Sequence, residues 1–261
     1  MRRKKSVQTP KSEGCTLANR LVVENLTAGY GAVSVLRGVS LEIRERELVA
    51  LLGTNGNGKS TLLNAIIGLV RPTAGSVRLE WDGQTIELAG LPAEKVVECG
   101  IALVPEGRRL FPHLTVEENL TLGGCGRRAR HNLRHNLEFA FSAFPVLRER
   151  RHQPAGTMSG GQQQLLAIAR ALMTEPRIIL IDEPSVGLAP VAVDRVLSTV
   201  RELQSNRGLT VLMAEQSIVQ AIAIAGRSYV LTHGRINREF DQERAASSSE
   251  EIRSALLGGI T

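Results

Sequence analysis

The chain has 261 residues, of which 43% are apolar and 22% charged, and its formal net charge is +6. These values suit one large globular domain or two small ones, with enough apolar material for a buried core. Aromatic residues make up only 3% of the chain, which argues against a stacking platform for single-stranded nucleic acid. The three cysteines lack C-x-x-C spacing, so we interpret them as reduced thiols rather than as a disulfide framework or a metal site.

The sequence predicts neither a membrane span nor a signal peptide. Its two richest apolar runs, 165–173 and 217–225, are interrupted by Arg170 and Gln220 and fall short of the roughly 18–20 residues that cross a bilayer. The basic start MRRKK leads into VQTPKSEG without the apolar segment of a signal peptide.

Positive charge is concentrated in two stretches. Residues 1–18 hold five Lys/Arg against one Glu, and residues 127–152 hold seven Arg against two Glu. The first predicts a disordered basic leader over 1–19, and the second predicts a basic helical surface. Each has two open interpretations: contact with nucleic acid or an anionic membrane surface, or plain solvation.

The N-terminal part of the chain predicts strands and one helix. Alternating, β-branched-rich stretches typical of strands occupy 21–30, 39–53 and 76–88. Within them, 47–53 is nearly all apolar and ends in glycine, as a buried parallel strand does. A helix is predicted from Lys59 to about Gly68, because Pro72 lies just beyond it.

The middle of the chain, about 92–157, predicts mostly helices. It contains the helical stretch 132–144, and Thr115 with Glu118 has the spacing of a capping box.

Helices and strands alternate again after this section. Helices are predicted over 160–174, 190–204 and 217–225, and strands over 177–182, 209–215 and 227–240. Ser248 and Glu251 predict a final short helix. Alternation at both ends, with helices between, predicts an α/β sheet with an inserted helical subdomain.

The stretch Gly53–Ser60 reads GTNGNGKS and matches the phosphate-binding pattern G-x-x-x-x-G-K-[ST] in full. Its glycines let the backbone aim N–H groups at phosphate oxygens, next to the N-terminus of the predicted helix. The pattern predicts that Lys59 binds the β- and γ-phosphates and that the Ser60 hydroxyl binds Mg²⁺. The predicted nucleotide contacts here are Gly53, Thr54, Asn55, Gly56, Asn57, Gly58, Lys59, Ser60 and Thr61.

An acidic pair, Asp182 and Glu183, ends the apolar strand Ile178–Ile181. Ligands of α/β folds collect at the carboxyl ends of such strands. We predict that Asp182 binds Mg²⁺ and that Glu183 is the general base for an attacking water. A solvated strand end is the alternative, but the phosphate-binding loop upstream favours the catalytic interpretation.

A second glycine-rich helix start, MSGGQQQ, occupies 158–164. Its free N–H groups, the positive end of the helix dipole and a serine hydroxyl suit an anion. Nothing else in the chain needs a second phosphate site. We therefore predict that Ser159, Gly160, Gly161 and Gln162 contact a nucleotide held by another subunit, and a plain helix cap is the alternative.

These motifs resemble those of the ABC ATPases, and the resemblance covers about residues 20–240. In that family the SGGQ signature closes over the γ-phosphate held by the facing subunit, so ATP joins a head-to-tail dimer. The resemblance implies a P-loop NTPase (RecA-like) α/β core, an N-terminal antiparallel β-subdomain and the helical subdomain at about 92–157. It implies an ATPase domain over 20–242, a C-terminal tail with a short helix over 243–261, and stacking of Tyr30 on adenine.

A narrower resemblance is to the ATP-binding subunits of branched-chain amino acid importers. It is carried by IALVPEGRRLFPHLTVEENL (101–120), SVGLAP (185–190) and MAEQS (213–217). It implies ATP and Mg²⁺, a sister ATPase or second copy of this chain, two integral-membrane permease subunits, an extracytoplasmic substrate-binding protein and no nucleic acid. The expected location is the cytoplasmic face of the inner membrane, with permeases docking beside 106–119.

Three positions depart from the general ABC pattern. Glu106 stands where most relatives have the glutamine that ties Mg²⁺ and the γ-phosphate to the membrane partner. Gln216 stands where most have a histidine facing the γ-phosphate, and Ala189 where most have an aspartate. The VPEGR and EQ forms resemble this importer branch, so they do not weaken the assignment. The departures bear instead on how well this chain's own half-site hydrolyses ATP.

Rival functions remain at this stage. Urea and amide importers are the nearest alternative cargo systems. A non-transport ABC protein is disfavoured by the single ATPase domain and by the lack of a coiled-coil insertion or zinc motif, and SGGQ argues against a P-loop kinase.

Overall fold

A computed structural model describes residues 18–241. The predicted leader up to residue 17 and the predicted helix at Ser248 and Glu251 lie outside this range. The strands are β1 (Arg20–Tyr30), β2 (Val33–Arg44), β3 (Leu48–Leu52), β4 (Ala74–Trp81), β5 (Gln84–Glu87), β6 (Ile101–Val104), β7 (Ile178–Asp182), β8 (Thr210–Glu215), β9 (Arg227–Thr232) and β10 (Arg235–Asp241). The helices are α1 (Lys59–Ile66), α2 (Ala93–Glu98), α3 (Val116–Gly123), α4 (Leu133–Ala143), α5 (Pro145–Glu149), α6 (Gly160–Leu172), α7 (Pro190–Arg207) and α8 (Ile218–Ile224), with 3₁₀ turns at Arg130–Asn132 and Ala155–Thr157.

The strands form two sheets. Four antiparallel strands in the order β2-β1-β4-β5 make an N-terminal sheet, as predicted. Six strands in the order β10-β9-β3-β8-β7-β6 make the larger sheet, which is parallel except for the β9–β10 hairpin. The predicted α/β class is confirmed.

The larger sheet is buried on both faces, which is why its strands read as continuous apolar runs. Successive residues of β3 alternate between two hydrophobic clusters. Leu48, Ala50 and Leu52 face the side that carries α6 and α7. Val49 and Leu51 face α1 and the antiparallel sheet. The strand is therefore held in register from both sides.

The prediction of helices over 92–157 is wrong for one segment. Ile101–Val104 is strand β6, which pairs in parallel with β7 at the edge of the larger sheet. The run IALV is only four apolar residues long, and periodicity cannot distinguish such a run from a short helical segment. The inserted helices α3 to α5 thus begin only at Val116.

The helical insertion starts with the capping box predicted from Thr115 and Glu118. The Thr115 hydroxyl accepts a hydrogen bond from the Glu118 N–H at 3.2 Å, and the Glu118 carboxylate accepts one from the Thr115 N–H at 2.7 Å. This reciprocal pairing satisfies two N–H groups that the first helical turn leaves free. The start of α3 is therefore set by local sequence.

The Arg-rich stretch 127–152 forms the surface of this insertion. Arg148 and Arg151 lie over the ring of Phe141, at 5.6 and 5.7 Å from its centroid, and each also pairs with a glutamate. Part of the basic charge is thus neutralised within the fold.

Among residues 18–241, no helix combines the length and the apolar character that crossing a bilayer requires.

The nearly buried side chain of Arg227 joins the two sheets through a network of ion pairs and hydrogen bonds. Its guanidinium makes a bidentate contact with Glu47, with both distances 2.8 Å, and a third contact with Glu239 at 2.8 Å. It also donates to the backbone carbonyl of Glu42 on β2 and to the hydroxyl of Tyr229. Rigid attachment of β9 beside β3 supports the loop that follows β3.

We expect Arg227→Met to lower the free energy of unfolding by about 2–4 kcal/mol, because Glu47 is left partly buried without its partner. Lys95→Met is the control. Its ion pair with Glu98 lies at the surface, with the Lys95 side chain half exposed, so the loss should stay below about 1 kcal/mol. Urea denaturation measures both, and equal losses would contradict a structural role for the Arg227 network.

Candidate nucleotide-binding site

Three loops of the site follow neighbouring parallel strands of the larger sheet, at the carboxyl ends of those strands. Gly53 follows β3, Glu183 follows β7, and Gln216 follows β8. These strands are adjacent, in the order β3-β8-β7. Carboxyl ends of parallel strands meet at the same edge, where α/β folds bind ligands.

The loop after β3 needs glycine at several positions. Gly56 and Gly58 have φ angles of +82° and +102°, a left-handed region that favours glycine. A Cβ atom on Gly53 would lie 2.8 Å from the carbonyl oxygen of Leu231. The loop then enters α1 at Lys59, whose first-turn N–H groups have no intrahelical acceptors. This geometry matches the predicted phosphate cradle.

The Lys59 ammonium is buried beneath this loop, and the residue is only 4% exposed. It donates to the carbonyl oxygens of Gly53 at 2.8 Å and Thr54 at 3.2 Å. It also forms an ion pair with Glu183 at 2.9 Å. A buried cation is thereby paired and fully hydrogen-bonded, as burial of charge requires.

Glu183 occupies a strained backbone conformation. Its φ angle is +45°, and the left-handed region costs a non-glycine residue about 1–2 kcal/mol. Its N–H donates to the carbonyl of Ala214 on β8 at 3.0 Å. Strain that persists because neighbouring contacts hold it is typical of functional sites.

Asp182 is buried beside this pair, and its Oδ1 atom has no hydrogen-bond partner. Burial raises the pKa of its carboxyl group, and the negative charges of Glu183 and Glu106 raise it further, while the Ser60 hydroxyl and Lys59 act in the opposite direction. The unpaired oxygen, next to a hydroxyl and to other carboxylates, fits a hard divalent cation.

The described residues contain no cluster of three or more metal-binding side chains. Mg²⁺ is usually held by one or two protein oxygens together with water and phosphate, so a larger cluster is not required for it. Mg²⁺ binding by Asp182 and Ser60 stays a prediction.

A cavity of about 420 Å³ opens over the phosphate-binding loop. Lys59, Ser60, Glu106 and Glu183 all line it. The fold thus brings Glu106, which lies far from the other three in sequence, to the same cavity.

Tyr30 and Gln216 are placed near the edges of the site but do not line this cavity. Tyr30 ends β1 and is 54% exposed, and Val35 on β2 lines the cavity instead. Gln216 is exposed, and its N–H donates to the Glu215 carboxylate at 3.2 Å. Adenine stacking and γ-phosphate contact by these two residues remain predictions.

The signature segment lies at a second, separate cavity of about 270 Å³. Ser159 caps α6: its hydroxyl accepts from the Gln162 N–H, and the Gln162 side chain accepts from the Ser159 N–H at 3.1 Å. Gly161 and the exposed Val191 also line this cavity. The helix cap and an anion site are thus compatible, and this chain's own phosphate loop lines a different cavity.

One buried residue of the site was missed from the sequence. Glu215 ends β8, is fully buried, and accepts hydrogen bonds from Ser185 and Gln216. The available signal was a charged residue that ends an apolar strand, the same pattern that identified Asp182.

A family model described as ABC transporter matches residues 36–186. The chain belongs to the ABC transporter ATPases. It is 43% identical over 239 residues to the high-affinity branched-chain amino acid transport ATP-binding protein BraG of Pseudomonas aeruginosa, across 92% of this chain and 100% of that protein. A probable branched-chain amino acid transport ATP-binding protein, LivF of Archaeoglobus fulgidus, is 35% identical across 81% of this chain and 87% of its own length.

Solved ABC cassettes share the fold. One ATP-binding cassette of an ABC transporter superposes with a TM-score of 0.79 at 27% identity, covering 92% of this chain and 98% of that one. A dimeric cassette in a post-hydrolysis state, bound to ADP and Pi, superposes with a TM-score of 0.72 at 29% identity, covering 85% of this chain and 98% of that one. The resemblance drawn from the sequence motifs is confirmed, and this ABC protein is an ATPase.

We expect Asp182→Asn to raise the Tm of the nucleotide-free ATPase at pH 7, in the presence of EDTA, by about 2–4 °C, or roughly 1 kcal/mol. Burial disfavours the charged form of Asp182, so the ionised carboxylate destabilises the fold. This destabilisation is absent at a pH below the ordinary carboxyl pKa and complete at a pH above the raised pKa of Asp182. The gain should therefore shrink as the pH falls towards the ordinary range of an aspartate carboxyl group. Thermal melts over a series of pH values from 7 downwards test this, and a pH-independent gain would contradict it.

Proposed function

We propose that this ABC ATPase energises an importer of branched-chain, hydrophobic amino acids. The buried juxtaposition of Lys59, Asp182 and Glu183 at one sheet edge supports ATP hydrolysis. The proposed cargo follows the printed names of relatives that match nearly the whole chain. A urea or amide cargo would use the same ATPase chemistry.

In the proposed mechanism, ATP phosphates enter the 420 Å³ cavity and compete with Glu183 for the Lys59 ammonium. Lys59 then stabilises charge on the phosphate oxygens, and the released Glu183 carboxylate orients a water. The water oxygen bonds to the γ-phosphorus as the bond to the β-phosphate oxygen breaks, and Glu183 accepts the proton. Ser60 and Asp182 would hold Mg²⁺, which supplies further positive charge when bound.

The remaining residues have positioning roles in this proposal. Glu106 borders the same cavity and would lie beside the metal and the γ-phosphate. Gln216 offers amide donors to the γ-phosphate but does not titrate, so it positions the phosphate without exchanging a proton. Tyr30 stacks on adenine.

The separate cavity at the signature segment supports action on a partner's nucleotide. Ser159 and Gly161 line it, next to Val191, which is 83% exposed. A head-to-tail partner would cover this apolar surface and bring its own phosphates to the N-terminus of α6. The partner is a sister ATPase or a second copy of this chain.

An apolar groove supports docking of the permeases. Leu69, Phe111 and Leu122 are exposed around a cavity of about 390 Å³ between the core and the inserted helices. Contiguous exposed apolar surface marks protein interfaces. We place one permease subunit there and a second one on the partner ATPase, which locates the ATPase at the cytoplasmic face of the membrane, and an extracytoplasmic binding protein supplies the cargo. Nucleic acid has no role in this proposal.

Glu183→Gln should retain ATP binding, because Lys59 keeps its two carbonyl contacts, and should slow turnover at this site by at least ~10²-fold. Single-turnover hydrolysis in the assembled complex measures this. Glu106→Gln is the control, since it also removes a carboxylate from the cavity, and we expect less than a tenfold loss. Equal losses would mean that charge, and not a general base, explains the effect.

Ser159→Arg should leave ATP affinity of the isolated subunit intact, because the phosphate-binding loop is untouched. It should abolish ATP-dependent pairing, since bulk would occupy the position where the partner's γ-phosphate approaches. Ser205→Arg, on the exposed surface of α7, is the matched control. Loss of ATP affinity in isolated Ser159→Arg would mean that the signature serves its own chain.

The whole assignment is tested by purification from native membranes. The expected result is co-purification of two permeases and a partner ATPase, together with ATP-dependent uptake of leucine, isoleucine or valine into vesicles. Uptake of urea or amides instead would overturn the proposed cargo while leaving the ATPase role in place.

A further inference from the structure

We propose that Glu215 is a positioning residue that couples this chain's nucleotide site to its signature segment. It does so by tying the backbone of Gln216 to the loop between Glu183 and α7. The inference rests on the proposed function, in which the signature contacts the partner's nucleotide.

Glu215 makes its contacts from a fully buried position, with 0% of its surface exposed. One carboxylate oxygen accepts from the Ser185 N–H at 3.2 Å. The other accepts from the Ser185 hydroxyl at 2.9 Å and from the Gln216 N–H at 3.2 Å. Hydrogen bonds to a charged acceptor are stronger than neutral ones, so Ser185 and Gln216 are held by one rigid group.

No basic side chain forms an ion pair with Glu215 among the ion pairs of residues 18–241. Burial raises the pKa of its carboxyl group, and the three donors act in the opposite direction. The Ser185 donors lie on the loop after β7, whereas Gln216 follows Glu215 directly in the chain. A buried carboxylate stabilised only by these donors is destabilised if the Ser185 loop moves away from the end of β8. The Ser185 loop and the end of β8 are therefore expected to move together.

The same strand end also bonds to the loop after β3 and to the first residue of the loop that carries Ser185. The Glu215 carbonyl accepts from the Gly53 N–H at 3.3 Å, and the preceding carbonyl, that of Ala214, accepts from the Glu183 N–H at 3.0 Å. A shift at the end of β8 thus reaches the phosphate-binding loop and Glu183 as well.

The loop that begins at Ser185 packs directly on the signature segment. A Cβ atom on Gly160 would lie 3.2 Å from the Leu188 side chain, and one on Gly161 would lie 2.8 Å from Ala192 Cβ. The two glycines therefore let this loop and the start of α7 lie directly against the N-terminus of α6. A continuous chain of contacts therefore runs from Gln216 through Glu215 to the start of α6.

Glu215→Gln tests this link with almost no change in volume. The amide oxygen can still accept from the Ser185 N–H, and the amide nitrogen can donate to the Ser185 hydroxyl. That nitrogen then faces the Gln216 N–H, and two donors meet. The substitution removes the side-chain hydrogen bond to the Gln216 N–H, which fixes the orientation of that peptide group, and keeps the connection to Ser185.

In the assembled complex we expect Glu215→Gln to lower kcat about tenfold and to reduce the Hill coefficient for ATP to near unity. ATP affinity of the isolated subunit should change less than about twofold. Ser185→Ala removes one bond on the other side of the carboxylate and should act in the same direction more weakly. It also serves if Glu215→Gln fails to fold.

Thr210→Val is the matched control. Thr210 is fully buried at the other end of β8, where its hydroxyl accepts from the Arg46 N–H at 2.9 Å. It should lower Tm without changing the Hill coefficient, as a purely structural residue does.

Glu215→Gln and Ser185→Ala variants that keep the wild-type kcat and Hill coefficient would overturn the inference alone. A wild-type complex that hydrolyses ATP without cooperativity would do the same, since uncoupled sites need no connecting residue. Absence of ATP-dependent pairing by the wild-type chain would overturn the proposed function and this inference with it.

Discussion

The buried ion pair between Lys59 and Glu183 is the interaction on which the rest of the site depends. It stores the phosphate-binding cation and the proposed base in contact, out of solvent, and two carbonyls complete the coordination of the ammonium. In the proposed mechanism, a nucleotide phosphate competes with Glu183 for Lys59, so that phosphate binding and release of the base would occur together. Because removing either partner leaves a buried charge, the pair also constrains which residues can stand at both positions.

Asp182 is the residue of this arrangement that most favours a bound cation in the proposed mechanism. Its unpaired oxygen and raised pKa make the nucleotide-free site less stable than a neutral one would be. In the proposed mechanism, a metal bound together with ATP would remove that penalty and so favour substrate binding. The left-handed φ angle of Glu183 belongs to the same pattern of local strain held by a rigid sheet.

Separation of the phosphate loop from the signature segment makes one chain an incomplete unit. The two segments line different cavities, so in the proposed dimer each chain would offer one half of two sites. The contacts of Glu215 with Ser185 and Gln216 give a physical reason why occupancy of one half should affect the other. Replacement of the usual histidine by Gln216 leaves this backbone connection intact, because the hydrogen bond uses the main-chain N–H.

Local sequence determined the elements whose causes are local: the glycine-rich loop before α1, the capping box at Thr115, and the apolar strand that ends in Asp182. Each depends on residues within a few positions of one another, and the loop and the acidic pair, together with SGGQ, sufficed to recognise the family. Only the tertiary structure decided that Ile101–Val104 is a strand, that Lys59 pairs with Glu183, and that Glu215 holds two loops. Those facts follow from the strand order β3-β8-β7-β6, which brings distant segments to one sheet edge and which no local periodicity encodes.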